Sequence, residues 1–218
     1  MKAKEIVIPA IVTIISIVAI VGVVSYLKSR GDGIENVGGG GTPTSPATIT
    51  LNPIADARVQ SENADINYGR DPGLGVLYFN VSNIWEGRYN SYLMFDLSSI
   101  PTNSSIIDAR LELYNYYIGE ETTIVGAHYC PNVSWTELGI TWNNAPSFSS
   151  TPTAETVLEG YKENMWYSWN ITTDVQYALS VRKLSEVLKV EDIGPIFGAG
   201  FYSKDSGYYK PKLTITYS

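Results

Sequence analysis

The chain has 218 residues and a formal net charge of −7, and beyond Arg30 its 11 Lys and Arg face 21 Asp and Glu, a net of −10. That balance excludes the basic face that nucleic-acid phosphates require. One cysteine, Cys130, excludes an internal disulfide, and one histidine, His128, leaves too few nitrogen and sulfur ligands for a zinc site.

The first element is apolar. Ile6 to Leu27 carries no charge over 22 residues. As a helix it reaches about 33 Å, enough for a hydrocarbon core of about 30 Å. It has neither the short apolar run nor the small-residue cleavage site of a signal peptide. Residues 1–30 therefore read as a retained N-terminal membrane anchor, one transmembrane helix that meets the membrane through residues 6–27. Lys2 and Lys4 precede the run and Lys28 and Arg30 follow it, so flanking charge is nearly balanced. Residues 31–47 hold Gly38-Gly39-Gly40-Gly41 and Thr42-Pro43-Thr44-Ser45-Pro46, a flexible Gly/Pro/Ser/Thr linker. The expected location is the cell membrane, single-pass, with the remainder extracellular.

From Thr48 the signals are those of strands. Ile54 to Val59 and Val76 to Val81 are predicted strands, separated by a polar loop from Asn63 to Gly73. Ser82 to Asn90 reads as a second long loop. Tyr92 to Asp96 is apolar on both faces, as a strand in the middle of a packed sandwich should be. From Ile107 the residues alternate, with Ile107, Ala109, Leu111 and Leu113 assigned to the core. Gly119 to Thr122 connects to a strand over Thr123 to Cys130. Trp135 to Pro146 is irregular, and Trp166 to Ile171 is another strand. Thr172-Thr173-Asp174 offers an N-cap for a short helix to about Ser180. Val181, Leu184 and Leu188 have helical spacing, which predicts a second, exposed helix over Val181 to Val190. Ile196 to Ser203 and Lys212 to Tyr217 close the sheet. The fold class is all-β: a jelly-roll-type two-sheet β-sandwich over residues 48–218.

Ala55-Asp56-Ala57, Asn67-Tyr68-Gly69, Tyr92 to Leu97, Ile107 to Tyr114, Trp135-Thr136-Glu137, Ile140 to Pro146, Gly200 to Asp205 and Lys210 to Leu213 together carry a resemblance. In these residues the chain resembles the DNRLRE-domain family of bacterial and archaeal surface proteins, related to disaggregatase repeats. The resemblance spans about residues 50 to 218. It implies a jelly-roll β-sandwich and a carbohydrate-binding role, often on acidic cell-surface polysaccharides.

The residues themselves supply candidates. A pyranose has apolar C–H faces and many hydroxyls, so aromatic rings beside polar forks suit it. Trp85, Arg88 and Tyr89 form one such set, Tyr68 and Arg70 a second, and Tyr208, Tyr209 and Lys210 a third. Asp65, Asn67 and Asp71 offer the hard oxygens a structural Ca²⁺ takes, although the spacing is not that of an EF-hand and an Asx-rich turn competes as an explanation. No catalysis is expected: His128 lies in an alternating strand, and Glu120-Glu121 sits at a predicted hairpin tip. Sequons at Asn80, Asn103, Asn132 and Asn170 fit an exterior head that carries glycans. The expected function is noncatalytic binding of a polysaccharide or glycan at the cell surface. The alternative is a structural or adhesive envelope protein that meets other surface proteins through its sandwich.

Overall fold

The computed structural model describes residues 45–81, 84–191 and 196–218, apart from the side chain of Trp85. The expected membrane helix at 6–27 lies outside the described residues, within which no helix is long and apolar enough to cross a membrane.

The described residues form eleven strands, every pairing antiparallel: β1 (Ala47–Leu51), β2 (Ala55–Gln60), β3 (Gly73–Val81), β4 (Trp85–Asp96), β5 (Ile106–Ile118), β6 (Thr123–Tyr129), β7 (Ala154–Leu158), β8 (Trp166–Asn170), β9 (Lys183–Val190), β10 (Ile196–Tyr202) and β11 (Lys212–Tyr217). One short helix, α1 (Thr172–Ala178), follows β8. The hydrogen-bonded order is β1-β11-β5-β10-β3-β4-β9-β6-β7, with β8 joined to β5 and β2 joined to β4.

Strand β5 turns the corner between two ladders. Its first part pairs with β11 and β8, and from Asn115 onward it pairs with β10. Asn115 is fully buried at that corner. Its Nδ2 donates to the Lys162 carbonyl at 3.2 Å and its Oδ1 accepts the Met165 N–H at 3.0 Å. The amide thus satisfies loop backbone that would otherwise be stranded where the ladder changes partners. Between the ladders lies the main core, built from alternate residues of both: Ala109, Leu111, Leu113, Trp169 and Leu213 against Leu93, Phe95, Leu184, Leu188 and Phe201. Trp169 donates its indole N–H to the Val125 carbonyl at 2.7 Å, so the largest ring in the core leaves no polar atom orphaned.

A second apolar cluster sits on the other face of β4. Ala57, Val59, Tyr92, Cys130, Ile140 and Val187 gather there, with Trp135, Trp142, Ala145 and Phe148 packed against them. The long segment after β6 supplies this cover. It is pinned by Trp135 Nε1 to Ser185 Oγ at 2.9 Å and by Tyr92 Oη to the Pro146 carbonyl at 2.8 Å. Tyr92 to Phe95 are therefore buried on both faces, as their apolar run requires.

Four expectations change. The stretch over Val181 to Val190 is not an exposed helix but the buried strand β9, held between β4 and β6. Spacings of four suit a strand as well as a helix, and pairing on both edges decides the matter. Ser82 to Asn90 is not a long loop, because β4 begins at Trp85 and pairs there with β3. Ile107 is 51% exposed and Ile106 takes the core position. A register shift between Thr216 and Tyr217 of β11 lets Ile106 and Asp108 pair with successive residues, which turns Ile107 outward. The helix cap is not a Thr-Thr-Asp side chain: Ile171 precedes α1 with no side-chain cap, Thr172 Oγ1 accepts the Ala109 N–H, and Asp174 is buried.

Candidate functional site

The outward residues where β5 crosses between ladders are aromatic, and neighbouring strands answer them. Tyr114 stacks on Tyr209 with ring centres 4.0 Å apart and meets Trp166 edge-on at 5.4 Å. Tyr202 of β10 lies 5.1 Å from Tyr116 and 5.1 Å from Tyr208. Lys212 Nζ sits over the Trp166 ring at 4.4 Å. Tyr116 and Trp166 are each 37% exposed, Tyr209 is 48% and Tyr208 is 59% exposed, so these six rings make a belt that water reaches. Burial of rings ordinarily fills a core; here the rings pack on one another at the surface, Tyr114 face to face with Tyr209 and Trp166 beneath Lys212, with part of the belt open to water.

The belt runs into an open groove of about 390 Å³ lined by Tyr89, Tyr116, Tyr117, Arg58 and Gln60. Glycines form its floor. A Cβ on Gly200 would lie 2.7 Å from Tyr116 Cζ, and one on Gly73 would lie 2.6 Å from Tyr116 Oη, so the ring occupies the space that side chains would fill. Arg58 pairs with Asp71 at 2.7 Å and lies over the Tyr68 ring at 4.6 Å, which fixes its guanidinium at the groove wall.

Across β4 there is another cleft of about 460 Å³, between the sheet and the segment from Trp142 to Phe148. Arg88, Asn90 and Lys189 line it, with Tyr92, Trp142 and Phe148.

A profile of carbohydrate-binding module family 96 matches residues 47–217. The chain belongs to carbohydrate-binding module family 96. No protein of curated function matches the sequence. The family name expected from the resemblance, DNRLRE, is not the one this match carries, while its carbohydrate-binding part is.

The module gathers some of the sequence-predicted residues and separates others. Tyr208 and Tyr209 join the belt; Lys210 is exposed, and Lys212 is the lysine that covers a ring. Tyr89 faces the groove, whereas Arg88 faces the opposite cleft and pairs with Glu86 at 3.1 Å, because neighbours on a strand point apart. The Trp85 side chain lies outside the described residues. Tyr68 stacks on Arg58, and Arg70 is exposed. Asn103, Asn132 and Asn170 are exposed, and Asn80 is partly so. Tyr114, Tyr116, Trp166 and Tyr202 were not singled out by sequence. Their signal was alternation: Tyr114 and Tyr116 occupy the wet face of a strand whose other face is core.

The loop oxygens proposed for calcium are engaged separately. Asp65 Oδ1 accepts Asn143 Nδ2 at 2.7 Å, Asn67 Nδ2 donates to the Glu137 and Ile140 carbonyls at 2.7 Å each, and Asp71 holds Arg58. Three other carboxylates, Asp56, Glu137 and Asp205, come within 4.8 Å of one another. The Lys204 ammonium stands among them, 3.0 Å from both Glu137 and Asp205. Glu137 Oε1 also accepts the Asp56 N–H at 3.0 Å, and Asp56 Oδ2 accepts the Lys204 N–H at 2.8 Å. Thus the pieces that carry the family resemblance, Asp56, Asn67, Glu137 and Lys204, meet as a clamp that ties the covering segment to the sheet.

The module also encloses buried acids. Glu186 is fully buried beside Asp174, with no protein donor to its oxygens. Burial first, then Asp174, holds Glu186 well above the usual carboxylate range. Thr153 Oγ1 donates to Asp174 Oδ1 at 2.8 Å and favours the ionised form there. His128 is a satisfied interior residue: its ring nitrogens lie 2.8 Å from the Ser149 carbonyl and 2.6 Å from Glu191 Oε1.

Proposed function

We propose that this module binds a polysaccharide noncatalytically, laying successive sugar rings along the belt from Trp166 to Tyr116 and into the glycine-floored groove. The observation that supports this reading most is the continuity of six aromatic rings, four exposed and two half-buried, with an open groove walled by Tyr89 and Arg58. Apolar sugar faces gain from stacking on such rings, and the guanidinium and Gln60 amide offer hydrogen bonds to hydroxyls. Chains bound this way need no deep pocket, which suits an interior segment of a long polymer. We read the strand order as a jelly-roll sandwich, held outside the cell by the apolar segment at 6–27 and its linker, with glycans on its exposed sequons.

A glycan array probed with the full-length chain tests the reading. Trp166→Ala and Tyr116→Ala should each weaken binding to the best glycan by about tenfold, equivalent to about 1.4 kcal/mol. They should do so with little change in melting temperature, since both rings are surface groups. Unchanged affinity in both variants would remove the belt from the site. Failure to bind any glycan, together with self-association of the chain, would favour an adhesive role through its sheet edges. Protease shaving of intact cells tests the exterior placement, and a head that resists it only until the membrane is breached would lie inside.

A further inference from the structure

Strand β4 divides two clefts, and its residue alternation assigns one set of side chains to each. Tyr89 lines the groove at the end of the aromatic belt, while Arg88 and Asn90 line the cleft behind it. The partner strand β2 repeats the division, with Arg58 and Gln60 on one side and Val59 on the other. The two clefts therefore open on opposite faces of the sheet.

The second cleft has an unanswered polar group. Asn90 is 9% exposed, and its side-chain amide hydrogen-bonds to none of the described residues. Its amide atoms are not sealed from water, so a ligand's hydroxyls can replace water there. Around it stand the groups that would accompany such a ligand. Trp142 and Phe148 form an apolar wall, with Phe148 held by Tyr92 at 6.3 Å and by His128 at 5.3 Å. Lys189 Nζ spends one donor on Glu191 at 2.8 Å, and Arg88 is turned partly toward Glu86. Each cation retains further N–H groups.

Resting on the carbohydrate reading above, we infer that this cleft is a second, separate saccharide site, which makes a single module bivalent. A pyranose enters with one face against Trp142 and Phe148 and an adjacent pair of hydroxyls on Asn90. The amide carbonyl accepts from one hydroxyl and the amide N–H donates to the other. Lys189 and Arg88 donate to oxygens at the rim. Because the two sites face apart, one molecule holds two polymer segments and bridges them.

The test uses the full-length chain with ¹⁵N-labelled tryptophan, titrated with cellohexaose and with a hexamer of galacturonate. These probes share vicinal hydroxyls and differ in their carboxylates. With at least one probe, the indole resonances of both Trp142 and Trp166 should move, and calorimetry should count two hexamers per chain. In Asn90→Ala the Trp142 response should weaken at least tenfold and the count fall to one, with the Trp166 response intact. The melting temperature should stay level or rise, because no hydrogen bond within the protein is lost. Tyr116→Ala should give the converse. A Trp166 response without any Trp142 response would overturn the second site alone. So would a Trp142 response that Asn90→Ala leaves unchanged. Silence at both tryptophans would overturn the carbohydrate reading on which the inference rests.

Discussion

Asp56 is 1% exposed, and burial, the largest influence on it, raises its pKa from the ordinary 3.8 to about 7 against the pull of the Lys204 N–H. The folded chain thus holds a proton at Asp56 that the unfolded chain has released above pH 4. Stability from this group is full below its unfolded pKa and is lost as pH rises through its folded value. Asp174 and Glu186 are raised too, with burial first in each case, and act in the same direction. Asp96 and Glu191 are lowered, the first by its Ser98 hydrogen bonds and the second by Lys189 and His128 against burial. Their opposite contribution is lost only below the ordinary carboxylate range. Stability should therefore fall between pH 5 and pH 7.5, by roughly 2 kcal/mol from Asp56 alone. Urea unfolding of Asp56→Asn at both pH values should show that slope reduced, with the remainder due to Glu186 and Asp174. An unchanged slope would mean that Asp56 is ionised throughout.

Among the elements, β5 carries the most. One face builds the core through Ala109, Leu111 and Leu113, and the other presents Tyr114 and Tyr116 to water. Its bend at Asn115 lets a single strand place rings from both ladders in one belt. Strand β10 completes the arrangement by giving up side chains: Gly198 leaves room for Leu77 and Gly200 for Tyr116. Gly200→Ala should push Tyr116 from its place, since the added Cβ would lie 2.7 Å from the ring. Tyr116 can move outward, so the expected loss is larger in glycan affinity, about tenfold, than in melting temperature. Matched binding and melting curves on the variant check this. A large stability loss with unchanged affinity would show a packing role only. At this scale the sequence misled wherever one spacing fits two structures. Leu184 and Leu188 are compatible with helix or strand, and only the presence of β4 on one edge and β6 on the other makes β9 a strand. The polar run Glu86-Gly87-Arg88 hid the start of β4 in a similar way, because Glu86 is exposed, Arg88 lines a cleft, and Gly87 is buried without a side chain to signal it.

At the scale of the molecule, two opposed saccharide sites change what one module does to a polymer. A monovalent binder decorates a chain, whereas a bivalent one joins two chains and lowers the solubility of the mixture. Wild-type protein added to a long soluble polymer of the hexamer that binds should raise turbidity to a maximum and then lower it as single occupancy takes over. Asn90→Ala and Tyr116→Ala should each flatten that curve while retaining binding. Light scattering across a range of ratios measures it.

Sequence alone determined the sheet character of the chain and the both-faced burial of Tyr92 to Phe95, because alternation and apolar runs are local patterns that strand geometry converts directly into faces. It also pointed to Tyr89, Tyr208 and Tyr209 as surface rings. The tertiary structure decided which rings share a surface, since Tyr114, Trp166, Tyr202 and Tyr209 come from four separate segments that only strand pairing brings together. It also decided that Arg88 and Tyr89 serve opposite clefts. Neighbours in sequence stand on opposite faces of a strand, and what each face meets is set by partners far along the chain.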